Sequence, residues 1–366
     1  MASPEVKILD PNGDLLIIAT ASTDAFAPWY HHLLSSTNEI SETEESDVSD
    51  AADDHRDIPR NELRIKASSS HLALASERFG RMMKNAWPDL AVVHEDGMRH
   101  WETEAVDLEA FVIVMDILHG RNRKVPHDVD VEMLAKVAVV VDDLQCHEAV
   151  EIFADKWISK LETAAPPKRY LQFSRDLVLW ILIAAMFQHA EIFQSCTRIA
   201  ILQIEGPMPS LELPIRGKVI DELESRRLKH LDDIMAILTD FENRLLYEEL
   251  YCCFDCDSML LGALIMQTRP SCLFNPRPSR PYNGISVSNM FEAVRAFRVP
   301  QIGDYGGWNS HSRGQEGFNE LLFNRINSLE REIQGIQLGT LSSLDKAGRW
   351  TPRRFRSHDG VERKKG

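Results

Sequence analysis

A strand pattern turns into a helix pattern between Ile65 and Met83, where the sequence reads IKASSSHLALASERFGRMM. Apolar residues first alternate with polar ones, as expected for a strand with one buried face. Ser68 to Ser70 then offer side-chain oxygens that can cap a helix N-terminus. From His71 onward the apolar residues recur at helical spacing up to Met82. The stretch therefore predicts a strand that runs directly into a helix.

Upstream of this stretch, the sequence predicts a β-hairpin and an acidic insertion. Val6 and Ile8 precede the turn residues Asp10–Gly13, and Leu15 and Ile17 follow them. Proline and glycine in that tetrapeptide favour a tight turn. Nine acidic residues and one arginine then lie between positions 39 and 57. Because such a segment buries little apolar surface, we expect a disordered insertion over residues 35–60.

Downstream, the pattern predicts one short strand and three helices. The strand is assigned to Ala91-Val92-Val93, which follows Trp87-Pro88. Apolar stripes then predict helices over Leu108–Leu118, Met133–Leu144 and Val150–Leu161, and Gly120 ends the first of them. Pro166-Pro167 follows the third helix and marks a domain boundary. The N-terminal domain therefore spans residues 1–162 and has an α+β fold, a small sheet with packed helices.

The rest of the chain is predicted to be mainly helical. A helical domain is assigned to residues 168–300, and a loop plus an amphipathic helix to residues 301–345. That last helix carries apolar residues at steps of four and three, namely Leu322, Ile326, Leu329, Ile333 and Ile336. The rhythm covers barely two heptads, so packing onto the domain is favoured over a coiled coil. Residues 346–366 form a basic tail that we expect to be disordered.

Composition excludes several classes of function. The formal net charge of −15 on the 366-residue chain repels phosphate backbones, so we expect no general binding to nucleic acids. The longest apolar run, Leu177–Phe187, is half the length of about 20 residues that a membrane span needs, so no membrane contact is expected. Six cysteines without a secretory leader indicate reduced thiols, and hence the cytoplasm or the nucleus.

The first 162 residues resemble the BTB/POZ domain, in the version common in filamentous fungi. The stretch Ile65–Met83 is similar to the family's strand and His-containing helix start. Phe111–Gly120 resembles the following helix and its glycine turn, and Leu134–Cys146 resembles the next helix. The turn His119–Arg123 and the acidic insertion resemble features of the fungal proteins.

This resemblance implies a protein-interaction module that is not an enzyme and needs no cofactor. BTB domains form homo- or hetero-oligomers, and some deliver substrates to cullin–RING ubiquitin ligases. The chain starts at the hairpin, without the exchanged N-terminal helix and strand of many dimeric members. The loop from His119 to Pro126 lacks the hydrophobic-x-Glu motif of cullin-binding members. Scaffold, cullin adaptor and transcriptional co-regulator therefore all stay open. The residues assigned to partner binding are Phe111, Met115, Arg121, Arg123 and Met133.

A metal- or thiol-dependent enzyme is the competing hypothesis. It rests on Cys252, Cys253 and Cys256, with Cys272 sixteen residues further on. Zinc sites usually combine two closely spaced ligand pairs, and only one such pair is present, so structural thiols are favoured. His71 is expected to be a structural histidine near the helix start. The group of His94, Glu95, Asp96 and His100 is expected to be a solvated loop, because its spacing matches no known ligand pattern.

Overall fold

The computed structural model describes residues 6–29, 62–85, 87–105, 107–164, 172–247, 254–269, 277–300 and 318–343. Within these residues the fold is α+β, with one four-stranded sheet and many helices. The predicted acidic insertion, the loop 301–317 and the basic tail lie outside them. No described helix is both long enough and apolar enough to cross a membrane.

The sheet has the strand order β1-β3-β2-β4, which corrects the predicted hairpin. The strands are β1 Val6–Ile8, β2 Leu15–Ala21, β3 Glu62–Ala67 and β4 Arg99–Ala105. The predicted turn forms, since the Gly13 amide donates to the Asp10 carbonyl at 3.0 Å. However, β3 lies between β1 and β2, parallel to the first and antiparallel to the second. The turn passes close over the end of β3, where a Cβ on Gly13 would lie 2.3 Å from the Ala67 carbonyl oxygen.

The fourth strand is Arg99–Ala105, so the strand prediction for Ala91-Val92-Val93 is wrong. Val92 and Val93 are more than half exposed and pair with no described strand. Residues 99–105 form the fourth strand instead, because alternate residues of β4 face the core. The Trp101 ring lies 5.3 Å from the Phe79 ring and 6.4 Å from the Phe111 ring. One large aromatic residue on the inner face outweighs the charged residues on the outer face.

Six helices lie in the described part of residues 6–164, and the helix predicted after Ser68 is two helices. They are α1 Ser69–Ala75, α2 Glu77–Lys84, α3 Pro88–Ala91, α4 Leu108–Leu118, α5 Val131–Leu144 and α6 His147–Ala164. The predicted cap is confirmed, because Ser68 Oγ accepts from the His71 amide. Ser76 breaks the run, since its Oγ caps the Phe79 amide at 3.0 Å and donates to the Leu144 carbonyl at 2.5 Å.

The remaining described residues are almost entirely helical. They form α7 Arg175–Met186, α8 Ala190–Gln203, α9 Gly217–Tyr247, α10 Phe254–Thr268, α11 Val287–Arg295, a π-helical turn Phe318–Phe323, α12 Asn324–Glu332 and α13 Leu338–Ser343. The heptad-like residues Leu322 and Ile326 are buried against the domain, as predicted. The helix ends at Glu332, before the predicted Ile336. The Ile336 amide donates instead to Thr197 Oγ1 at 2.9 Å, which fixes this segment on α8.

One continuous core joins the two halves of the chain. Helix α5 packs against α4 and α6 on one side and against α7 on the other. Eight consecutive residues of α7, Leu177 to Ala184, are at most 1% exposed. At the start of α7, Arg175 donates to the carbonyls of Phe26 and Ala27 at 2.9 and 2.8 Å and pairs with Glu132 at 2.9 Å. The boundary predicted at Pro166-Pro167 lies outside the described residues. The described helices on its two sides, α5 and α7, share one apolar core.

A fully buried arginine holds the helical half together. Arg227, in α9, has a side chain that is 0% exposed. Its guanidinium makes two hydrogen bonds to Glu224, at 2.8 and 2.7 Å. Its other three bonds reach the carbonyls of Pro281, Tyr282 and Ile285 at 2.7, 3.1 and 2.9 Å. All five guanidinium donors are therefore used, which is what a buried charge requires.

Replacing this arginine should unfold the helical half more readily. We expect Arg227→Met to lower the free energy of unfolding by about 3 kcal/mol, because Glu224 and three carbonyls lose their donors inside the protein. Urea denaturation followed by circular dichroism measures the change. The matched control is Arg325→Met, whose exposed pair with Asp240 should cost less than about 1 kcal/mol. Equal losses for the two variants would contradict the assigned role.

Candidate functional site

The basic turn after α4 lies beside the edge strand β1. We define the basic-turn surface as Val6, Ile8, Arg121, Arg123 and Lys124. Val6 and Ile8 are 41% and 52% exposed, which is high for apolar strand residues. Arg123 and Lys124 are exposed as well. The turn and the edge strand thus expose apolar side chains and positive charge in neighbouring elements.

A buried carboxylate positions this surface. Asp116 is 2% exposed and lies near the end of α4. Its Oδ2 accepts from Lys7 Nζ at 2.8 Å, and its Oδ1 lies 3.7 Å from Arg121 Nε. The Arg121 guanidinium also donates to the Ile8 carbonyl. Asp116 therefore ties the basic turn to β1, so that the two parts move as one unit.

His119 ends α4 and is the histidine with a defined structural role. Its Nδ1 lies 2.9 Å from the Met115 carbonyl, and its Nε2 lies 3.1 Å from the Ser68 amide nitrogen. Because a carbonyl only accepts and an amide only donates, Nδ1 carries the proton and Nε2 is bare. Burial lowers the pKa of His119, which favours this neutral form. His119 therefore links the end of α4 to the start of α1.

The structural histidine was predicted at the wrong position. His71 is exposed, and its ring stacks on the His119 ring at 5.6 Å. Its backbone amide, not its ring, completes the cap with Ser68 Oγ. The signal for His119 was its place before Gly120, a residue with φ of +67°, at the end of a helix. A histidine at such a C-terminus can satisfy the last carbonyls through its ring.

The five residues predicted to contact a partner separate into surface and core. Phe111 and Met115 are 3% and 0% exposed, so they belong to the core of α4 and not to a binding surface. They lie on its inner face because the apolar stripe that marked them is the stripe that packs. Met133 is half-buried in the first turn of α5. Arg121 and Arg123 remain as surface residues, and the structure places both in the basic turn.

The predicted thiol and metal sites have few described residues. Cys252, Cys253 and Cys272 lie outside the described part of the chain, and Cys256 is 2% exposed in α10. Burial raises the pKa of the Cys146 thiol to about 12, which disfavours a reactive thiolate there. Within the described ranges, no three side chains of the metal-binding types come together.

The group around His94 is a turn that enters β4. The rings of His94 and His100 stack at 3.8 Å, and His100 Nε2 lies 2.8 Å from Asp96 Oδ2. This hydrogen bond lowers the pKa of Asp96. His100 belongs to β4 and not to the loop that the sequence predicted. The turn is exposed, and its side chains pair with one another.

The neutral His119 should make stability depend on pH. The unfolded histidine binds a proton near pH 6.5, and the folded one binds it only at a lower pH. Between these values the unfolded chain holds more protons, so the free energy of unfolding falls as the pH falls. We expect His119→Gln to flatten this dependence between about pH 7 and pH 5. Denaturation at several pH values measures it.

His71→Gln is the matched control for that measurement. The His71 ring is exposed and, among the described residues, its ring contact is the stacking on His119. Two other half-buried histidines with a lowered pKa, His147 and His230, keep their share of the pH dependence in both variants. An unchanged slope in the His119 variant would contradict the buried neutral form.

Comparisons with known proteins do not assign a function to this chain. No family model, curated protein or solved structure matches it. The likeness of residues 65–83 to the BTB/POZ signature therefore remains an expectation. What the chain's own contacts offer is a basic turn fixed to an exposed strand edge.

Proposed function

We propose that this chain is a protein-interaction module of the BTB/POZ type, acting as a scaffold or adaptor without catalysis. The order of elements in residues 6–164 carries the proposal. Two strands precede β3, which leads directly into α1 and α2, and β4 and the helices α4–α6 follow. The resemblance of Ile65–Met83 implies this order of strand, helix, strand and helices. The helix start that marks the resemblance is also the one that Ser68 caps.

The accessible groups support protein binding as the activity. The basic-turn surface presents the positive charges of Arg123 and Lys124 in a chain of net charge −15. An acidic segment of a partner would be attracted to Arg123 and Lys124, and the exposed Val6 and Ile8 side chains would add apolar contact. Strand edges recognise extended segments through main-chain hydrogen bonds.

Affinity purification with mass spectrometry on the full chain tests the proposal. The bait should enrich specific partner proteins over a tag-only bait. The double variant Arg123→Glu/Lys124→Glu should lose at least one of them by about ten-fold, because reversing exposed charge slows association and weakens binding. Arg121 is left unchanged, since it also holds β1.

The control reverses two charges elsewhere on the molecule. Lys156 and Lys229 are exposed on α6 and α9, so Lys156→Glu/Lys229→Glu changes the net charge equally. This variant should keep the partner. If the wild-type bait enriches no protein, the interaction module is excluded. If both double variants lose the partner alike, the basic turn is not the contact.

A cullin adaptor is the second candidate function. If the chain works through a ligase, we expect the helices between Phe111 and Leu161 to hold the cullin. The apolar side chain of Ile152, which lies on α6 and is 79% exposed, favours this function. Enrichment of a cullin by the wild-type chain would identify a ligase adaptor. Enrichment of transcription factors would instead identify a co-regulator.

Changing Ile152 tests the adaptor directly. We expect Ile152→Asp to abolish cullin enrichment, because a charge would be desolvated at the contact. Leu74→Asp is the control, since Leu74 is 89% exposed on α1. A wild-type chain that enriches no cullin, or an Ile152 variant that retains it, would exclude the adaptor.

A further inference from the structure

A cleft of about 440 Å³ opens in the helical half of the molecule. Three segments form its walls: the residues before α7, the loop after α8, and the first turns of α11. The side chains that matter for recognition are Gln172, Phe173, Glu205, Pro207, Asn289 and Glu292. The volume is typical of a site that holds a small ligand or a few residues of a peptide.

Hydrogen bonds between the walls hold the cleft open. Gln203 Oε1 accepts from the Phe173 amide at 2.6 Å, which joins the first wall to the end of α8. The Glu205 carbonyl accepts from the Gly284 amide at 2.9 Å, and its carboxylate accepts from Asn289 Nδ2 at 3.3 Å. The loop that carries Gly284 is fixed in turn by the buried Arg227. The cleft is therefore formed before anything enters it.

The charge of the cleft is negative. Glu205 and Glu292 stand on different walls, and no lysine, arginine or histidine is among the lining residues that the structure describes. The start of α11 does not attract an anion here, because Ser286 Oγ already caps the Asn289 amide at 3.1 Å and two carboxylates flank it. A cationic group fits this charge, and a phosphate or carboxylate does not.

The remaining lining groups suit a peptide. The Gln172 amide can exchange hydrogen bonds with a main chain. Phe173 and Pro207 provide apolar surface against which the methylene stem of a lysine or arginine can pack. The cleft is open and its lining is somewhat more polar than apolar, whereas sites for small organic molecules are mostly apolar and bury most of the ligand.

We propose that this cleft binds an extended segment of a partner protein through a lysine or arginine side chain placed between Glu205 and Glu292. The inference rests on the proposed function as an interaction module and adds a second contact, on the helical half. The two contacts have opposite charge. The basic-turn surface selects acidic segments, and the cleft selects basic ones.

Selection from a random-peptide phage library on the whole purified chain tests the proposal. The selected peptides should carry a lysine or arginine. Replacing it by citrulline or acetyl-lysine should weaken binding about ten-fold in fluorescence polarisation, because the positive charge is lost at nearly constant size. Glu205→Gln/Glu292→Gln should cause a loss of the same order for the unmodified peptide.

The control variant is Glu148→Gln/Glu151→Gln, which removes two exposed carboxylates from α6 and should bind normally. Peptides without a common cationic residue, equal binding by the cleft variant, or no selected peptide would each overturn the proposal. The partners found by affinity purification separate this result from the first one. If they persist in the cleft variant, the interaction module stands and only the cleft fails.

Discussion

The burial of two helices that each carry a long run of apolar residues determines the architecture. Five consecutive residues of α5, Val137 to Val141, are at most 9% exposed, and α7 is equally enclosed. A helix with no polar face must be covered all round, because each exposed apolar residue costs free energy of hydration. Each of these helices covers the other. Helices α2, α4 and α6 also contact α5, and α8 also contacts α7, which completes the cover.

Arginine side chains hydrogen-bond to backbone carbonyls in the segments that connect the helices and strands. Arg175 binds the carbonyls after β2, and Arg227 binds those before α11. Arg198 reaches the Ile333 carbonyl at 2.9 Å, and Arg226 reaches the Gly335 carbonyl at 3.2 Å. The guanidinium suits this task because its planar fork can serve several carbonyls from one position. These bonds add to the apolar anchors that the same segments bury, such as Ile333 and Ile336, and the cleft walls and the basic turn depend on such bonds.

Sequence patterns predicted the helices well because helical periodicity is a local property. The stripes ending at Leu118 and Leu144 both formed helices as expected. The sheet was predicted poorly because strand pairing is not local. Nothing in the turn Asp10–Gly13 indicates that β3 will lie between the two flanking strands. The exposed Val92-Val93 has a stronger strand composition than β4, but only β4 brings a tryptophan to the core.

The candidate site was predicted only in part, because some of its features depend on contacts between residues far apart in the chain. The positive charges of Arg121 and Arg123 are evident from the sequence, and turn residues are usually at the surface. Whether an apolar residue on a helix faces a partner or the core depends on which elements pack against that helix. Phe111 and Met115 were predicted to bind a partner, but they face the core. The buried Asp116 and the cleft between α8 and α11 join residues far apart in the chain, so no sequence motif marks them.

The mutual cover of α5 and α7 also has a consequence for synthesis of the chain on the ribosome. Helix α6 ends at Ala164 and α7 ends at Met186, so α5 lacks one side of its cover until 22 further residues have emerged. At about 5–20 residues per second, this interval lasts roughly 1–4 seconds. During it the nascent N-terminal half exposes a valine-rich helix face, which is the kind of surface that chaperones bind. The cover of α5 is therefore completed only after α7 has been translated.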